Sequence, residues 1–460
     1  MQQADALVLF GITGDLAFKK IFPALHAMAK AERLNVPVVG VAREGWSRER
    51  LIARARESIT TQDGVLDPAA FGKLAELIRY VPGNYVEADT FKRLRQALGA
   101  ARSPVHYLAI APSLFPAVVE GLAASGCASG ARVVLEKPFG RSLASAQALS
   151  RTLHAAFGEE SIFRIDHFLG KETVQNILYF RFGNSFLEPI WNRNYIERVE
   201  VTMAEEFGIA GRGKFYEEAG AIRDVVQNHL LQIVALLAME PPVGPDMEAF
   251  RDEKARVLKS IRPPAADRVV RGQYRGYRDE GGVAPDSQVE TFAALRLELD
   301  SWRWQDVPFY VRAGKCLPVT ATEVLVTLKP PPQRTFSGRA FDTGAPNHFR
   351  FRMGPNVEIA LGATVLASGG RGATANVELY ARRDPKLQAE PYDLLLSAAM
   401  NGDQMLFARQ DEVEAAWRIV DPIIAQASPL HAYQPGSWGP AEAASIVGSA
   451  GGWHDPHVAA

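Results

Sequence analysis

The chain has 460 residues, 47% of them apolar, with 51 Lys plus Arg against 52 Asp plus Glu; that length predicts two or three domains, and the balanced charge supplies no global field for coating nucleic acid or an anionic membrane. Only Cys127 and Cys316 are present, which excludes a disulfide framework or zinc site and points to a reducing cytoplasm. The start lacks a basic leader region, and no stretch reaches the roughly 18 apolar residues of a membrane span.

From the N-terminus, short β-branched runs alternate with helical patterns. Strands are expected at Ala6–Phe10, Val36–Val41, Val105–Ile110 and Arg132–Glu136, and helices at Asp15–Ala31, Arg48–Thr60, Ala69–Ile78, Leu114–Ala124 and Leu143–Phe157. This predicts a doubly wound, Rossmann-like α/β domain over residues 1–171. Helices at Glu172–Phe180 and Gly220–Met239 then precede runs that alternate apolar and polar side chains: Thr291–Leu299, Val307–Val311, Glu323–Leu328, Phe349–Arg352, Val357–Leu361 and Thr374–Tyr380. These suit a second, larger α+β domain over 172–460, with a mainly antiparallel sheet and helices on one face. The apolar run near Leu230 to Met239, interrupted by Gln232, reads as buried core. Surface loops are expected at Pro241–Pro245, Pro263–Asp267, Gly276–Pro285 and Pro330–Pro346.

The first strand leads into Gly11-Ile12-Thr13-Gly14-Asp15-Leu16-Ala17. Glycines let backbone approach a pyrophosphate, and the first N–H groups of the following helix supply donors and partial positive charge. The spacing is G-x-x-G-x-x-A, and no G-K-[ST] follows, so a kinase-type P-loop is excluded. At the end of the second strand, Arg43 suits the 2′-phosphate of NADP, while the adjacent Glu44 suits a ribose hydroxyl and leaves NAD open. Farther on, Arg164-Ile-Asp166-His167-Phe168-Leu-Gly-Lys171 packs an acid, an imidazole and an ammonium together, and Asn228-His229 lies in an apolar helix. A carboxylate can orient a histidine that acts as general base, while a second histidine and a lysine hold a phosphate. Were His167 and Lys171 to open a helix, their spacing would place them on one face. No His/Cys/Asp cluster has metal-ligand spacing, so no metal is expected.

Together, Gly11-Ile-Thr-Gly-Asp-Leu-Ala, Glu136-Lys137-Pro138-Phe-Gly140, the Arg164–Lys171 run and Arg223-Asp-Val-Val-Gln-Asn-His229 resemble the glucose-6-phosphate dehydrogenase family, in order from residue 5 to beyond 315. The resemblance implies NADP as hydride acceptor, glucose 6-phosphate as substrate, 6-phosphogluconolactone as product, entry to the pentose phosphate pathway, and a homodimer or homotetramer built through the large sheet. It places the general base on His229 and the orienting acid on Asp166. It assigns the substrate phosphate to His167 and Lys171, sugar contacts to Glu205, Asp224 and Lys315, and a place between sugar and nicotinamide to Lys137, with Pro138 fixing the turn. Gly11, Thr13, Gly14, Asp15, Leu16 and Arg43 are the expected dinucleotide contacts.

Three departures fall on the substrate side. Phe168 stands where the family has a tyrosine, Thr320 where it commonly has a basic residue, and Gly354 replaces a glutamine before Pro355-Asn356. One hydroxyl donor to the phosphate is thereby missing, a loss of roughly 1 kcal/mol. Asp224 and His229, five apart, would point about 140° apart on an ideal α-helix, so a shared site calls for local bending or bridging substrate. Cys316 reads as a small packed residue rather than a redox sensor. Two other readings stay open: the same enzyme acting on another aldose phosphate or free sugar, and a silent nucleotide-binding regulator. The regulator predicts losses among Asp166, His167, Lys171, Asp224 and His229, and all five are present.

Overall fold

The computed structural model describes residues 3–331, 346–367, 374–383, 390–426, 428–448 and 451–457; most of the loop expected at Pro330–Pro346 lies outside them. The chain divides into two units, the first made of 1–172, 244–251 and 389–414, the second of 173–243, 252–388 and 415–460.

In the first unit, Ala6–Phe10 (β1) is apolar throughout and buried at every position, as a central parallel strand covered on both faces requires. Val38–Ala42 (β2), Ile78–Pro82 (β3), Pro104–Leu108 (β4), Arg132–Glu136 (β5) and Ile162–Ile165 (β6) complete a parallel sheet in the order β6-β5-β4-β1-β2-β3. The short strand Phe407–Ala408 pairs antiparallel on the outside of β6. Strand order reverses between β1 and β4, the switch point at which open α/β sheets bind ligands beyond their carboxyl ends.

Sequence pattern missed β3 and β6. Helix Pro68–Leu77 runs straight into β3 with no breaker, so Ile78, expected to end the helix, instead begins a strand. β6 has four residues, one of them Arg164, whose guanidinium is buried against Glu159. The helix expected over Asp15–Ala31 does start at Asp15, passes through a π-helical stretch, Ala17–Ile21, and continues as α-helix Phe22–Lys30.

The second unit is built on a nine-stranded sheet. Ile196–Ala204 (β7) lies inside it, parallel to Phe309–Gly314 (β10) and antiparallel to Ala321–Leu328 (β11). Val269–Tyr274 (β8), Phe292–Leu297 (β9), His348–Gly354 (β12), Val357–Leu366 (β13), Thr374–Arg383 (β14) and the strand Leu430–Tyr433 fill out the order β14-β13-β12-β11-β7-β10-β9-β8 and then Leu430–Tyr433. Every residue of helix Leu231–Ala238 is buried, as its apolar run predicts. Its C-terminal carbonyls are satisfied by side chains: Arg181 donates to Leu236 and Met239, Trp191 to Leu237 and Trp304 to Ala238, each at 2.8 Å. No described helix is long and apolar enough to cross a membrane.

Candidate active site

The nucleotide-type loop follows β1 at the switch point. Gly11 has φ +79°, and a Cβ there would lie 2.2 Å from the Ala109 carbonyl oxygen, so glycine alone fits this turn. Its N–H donates to the Val41 carbonyl at 2.9 Å and lies 3.1 Å from the Tyr85 hydroxyl, while Gly14 N–H closes the turn on the Gly11 carbonyl at 2.9 Å. Thr13 donates its hydroxyl to Glu44 at 2.7 Å, which holds that carboxylate against the loop. Exposed Asp15 lies 3.8 Å from Lys19, and Leu16 is half-buried behind it. Arg43, just past β2, is exposed.

β5 ends on Glu136, and the Lys137–Pro138 bond that follows is cis. Tyr107 and Tyr392 donate to the Glu136 carboxylate. Burial pushes its pKa up to about 7, against those two hydrogen bonds and the neighbouring Lys137 charge, with the Asp166 charge adding to the rise. Pattern reading singled out Lys137 and passed over Glu136; the signal available was an acid closing an otherwise apolar strand.

The run after β6 is a turn rather than the start of a helix. Asp166, 2% exposed, accepts the Phe168 N–H on its side chain at 3.0 Å and the Leu169 N–H on its carbonyl at 2.9 Å, and Lys171 N–H bonds the Phe168 carbonyl at 3.0 Å. An aspartate that bonds the backbone two residues on favours such a turn, so helix begins only at Glu172. The turn nonetheless groups the anion-binding candidates. The Lys171 ammonium lies 3.5 Å from the Phe168 ring centroid, and the His167 and Phe168 rings meet edge-on at 5.2 Å. Phe168 thus holds the lysine by its ring face, where a tyrosine would also offer a hydroxyl.

In the second unit, parallel pairing sets the next cluster. β7 and β10 end in register, Ala204 opposite Gly314, so the residues that follow, Glu205 and Lys315, emerge side by side and form a close ion pair. Backbone bonds from Glu205 to Gly314, Leu317 to Glu205 and Cys316 to Phe207, at 3.0 to 3.1 Å, fasten the two segments together. Thr320 accepts the Glu206 N–H at 3.1 Å, so the residue that replaces a basic side chain braces this loop. Cys316 is half-buried at φ +52°, and burial, with the nearby Glu280 charge, raises its thiol pKa against the opposing Lys315 charge. Gly354 ends β12, and a Cβ there would meet nothing within 4 Å.

Tyr216, which pattern reading missed, is buried with the Lys315 ammonium 5.5 Å from its ring centroid. Its pKa is pushed well up, by burial first and then by the nearby carboxylates of Asp224, Glu290 and Glu205.

The segment carrying Asp224 and His229, Ile222–Leu230, is π-helical. In α-helical winding the two residues point apart; the wider i→i+5 winding, with more residues per turn, brings residues five apart closer to one face of the segment. This is the local departure from α-helical winding that a shared site for the two residues calls for. Asn228 supports this wider turn, since its amide donates to the Arg223 carbonyl at 3.0 Å and its oxygen accepts the His229 N–H at 2.7 Å.

Two family models match the chain: "Glucose-6-phosphate dehydrogenase, NAD binding domain" over residues 8–176 and "Glucose-6-phosphate dehydrogenase, C-terminal domain" over 178–454. Glucose-6-phosphate 1-dehydrogenase 1 of Mycobacterium tuberculosis is 43% identical over 453 residues, which cover 98% of this chain and 97% of that protein. The crystal structure of glucose-6-phosphate 1-dehydrogenase from Mycobacterium avium superposes with a TM-score of 0.93 at 42% identity, covering 100% of both chains. A glucose-6-phosphate dehydrogenase in complex with its substrate glucose-6-phosphate gives 0.90 at 33% identity, over 99% of this chain and 100% of that one.

Proposed function

The chain belongs to the glucose-6-phosphate dehydrogenase family and oxidises glucose 6-phosphate at C1; we propose that NADP takes the hydride, His229 takes the C1 hydroxyl proton, and Asp166 orients and charge-stabilises that histidine. The product is 6-phosphogluconolactone. When bound, the dinucleotide would supply the hydride acceptor through its nicotinamide ring, and the Gly11–Gly14 turn, whose first position only glycine can occupy, suits its pyrophosphate. His229 must be neutral to accept the proton, and an aspartate beside it selects the tautomer and stabilises the imidazolium. His167 and Lys171 hold the phosphate dianion, Glu205 and Asp224 accept from sugar hydroxyls, and Lys315 and Lys137 donate to them.

One observation carries the reading: the motifs follow the carboxyl ends of parallel strands. In the first unit these are Gly11–Gly14 after β1, Arg43 after β2, Lys137 after β5 and Asp166–Lys171 after β6; in the second, Glu205 follows β7 and Lys315 follows β10. NADP is supported by the exposed Arg43 guanidinium, which matches a 2′-phosphate. A second reading, NAD, is favoured by Glu44, whose carboxylate is already turned onto the loop by Thr13. A homodimer or homotetramer through the large sheet is supported by exposed Leu366, Leu379 and Tyr380 on β13 and β14. Cytoplasmic residence rests on two free cysteines.

The test follows absorbance of reduced cofactor with glucose 6-phosphate, free glucose and other hexose phosphates, each offered NADP and NAD. Turnover of glucose 6-phosphate with NADP is expected; turnover confined to another sugar overturns the substrate assignment. His229→Asn is expected to lower kcat by about a thousandfold with KM little changed, and unchanged turnover removes His229 from the base role.

A further inference from the structure

The catalytic segment is pinned at its start by a residue outside every motif singled out above. Helix Gly213–Ala221 is broken by Gly220, at φ 62° and ψ 175°, immediately before the π-helical Ile222–Leu230 begins. The backbone N–H groups that open a helical segment have no partner within it and need an acceptor from elsewhere. Glu290, just before β9, supplies two. Its carbonyl oxygen accepts the Ala221 N–H at 2.9 Å, and its carboxylate Oε1 accepts the Ile222 N–H at 3.1 Å. The other carboxylate oxygen receives the Arg271 guanidinium at 3.1 Å, and Arg271 is fixed in turn to the Gln288 and Ser428 carbonyls at 2.6 and 3.2 Å. The Glu290 and Arg271 side chains are 7% and 13% exposed. A Cβ at position 220 would lie 2.5 Å from Glu290 Oε1, so the glycine leaves the space that this carboxylate occupies.

We propose that Glu290 is a positioning residue for the dehydrogenase reaction: its carboxylate, anchored to β8 through Arg271, fixes where the π-helical segment starts and so where Asp224 and His229 stand. Asp224 is two residues past the pinned amide and His229 seven, both within a single helical segment. A slip or rewinding at Ile222 therefore displaces the sugar-binding acid and the base together. Negative charge at the amino end of a helical segment also opposes the partial positive charge of its free amides. This inference rests on the assignment of Asp224 and His229 given above.

The experiment compares the full-length chain with Glu290→Ala, Glu290→Asp and Glu290→Gln. It measures kcat and KM for glucose 6-phosphate, dinucleotide affinity by fluorescence, and amide hydrogen exchange of peptides spanning 222–230. Glu290→Ala is expected to lower kcat/KM by roughly a hundredfold, the scale of an ångström-level misplacement, with kcat falling and KM rising together. Exchange across 222–230 should speed up while dinucleotide affinity holds. Glu290→Asp keeps the charge but withdraws the carboxylate by one methylene, and Glu290→Gln keeps the reach but turns an amide NH2 on Arg271 in place of the oxygen that receives it, so about a tenfold loss is expected of each. If Glu290→Ala fails to fold, the Asp and Gln variants decide the matter. An Ala variant within twofold of wild-type kcat/KM, or Asp and Gln variants both within twofold of it, overturn the proposal whatever their thermal stability. An inactive wild type would instead strike the assigned reaction.

Discussion

Glu136 sits where the nucleotide-binding sheet ends, and its two tyrosine donors do not offset the burial of its charge. Its pKa is about 7 in the folded chain against an ordinary 4.5, so between those values the folded state holds a proton that the unfolded state has released. The contribution of this group to stability is therefore fully present below about 4.5 and is lost as pH rises through 7. Glu136→Gln removes the titration at nearly constant volume. Its melting temperature relative to wild type is expected to be higher at pH 8 than at pH 5 by a few degrees, read by thermal scans in matched salt; a pH-independent difference would show that the carboxyl is not held protonated. Residue identity alone could not reveal this, because the rise comes first from burial that only the folded sheet imposes and then from the charge of Asp166, just past the neighbouring strand β6. Arg43 and Glu44, by contrast, could be placed from sequence as candidate dinucleotide contacts, and both do stand just past β2, exposed.

Winding of the Ile222–Leu230 segment is where local pattern and structure part. The apolar spacing of Leu230 to Met239 announced a buried helix, and Leu231–Ala238 is one. The π-helical turn before it carries no separate periodic signature, because the side chains that hold it open, Asn228 from within and Glu290 from another part of the sheet, look like ordinary polar residues in a list. Asn228→Ala leaves the Arg223 carbonyl and the His229 N–H without these bonds. The segment then relaxes toward α-helical winding, which turns His229 away from Asp224. A kcat loss of about tenfold to a hundredfold is expected, with little change in melting temperature. Steady-state kinetics of the purified variant checks it, and wild-type kcat would mean the wide turn is held without Asn228. Strands β3 and β6 were hidden for a related reason: one begins where a helix ends without a breaker, the other is four residues long and contains a buried arginine.

At the scale of the whole chain, the nucleotide-binding unit is not contiguous, since residues 244–251 and 389–414 join 1–172 in it. Helix Pro391–Asn401 and the strand Phe407–Ala408 contribute Tyr392, Leu395, Leu396, Met400 and Phe407 to the core around β1. Arg132, buried on β5, donates to the carbonyls of Ala399 and Met400 at 3.2 and 2.9 Å, and Ala4 N–H bonds Met400 at 2.8 Å. Burying five large apolar side chains contributes roughly 1.5 to 3 kcal/mol each, together about 10 kcal/mol, which equals the net stability of a typical domain. Periodicity reports neighbours along the chain, and so gives no sign that a stretch more than 200 residues downstream closes this core. A fragment of residues 1–172 is therefore expected to lack a cooperative thermal transition and to bind dinucleotide at least about a hundredfold more weakly than the full chain, the effect of a folded state some 3 kcal/mol or more less stable than the unfolded one. Calorimetry and fluorescence titration of the two proteins side by side check this. A fragment that melts cooperatively and binds within tenfold of the full chain would show that β1 to β6 and their own helices suffice, and that 389–414 decorates the unit rather than completing it.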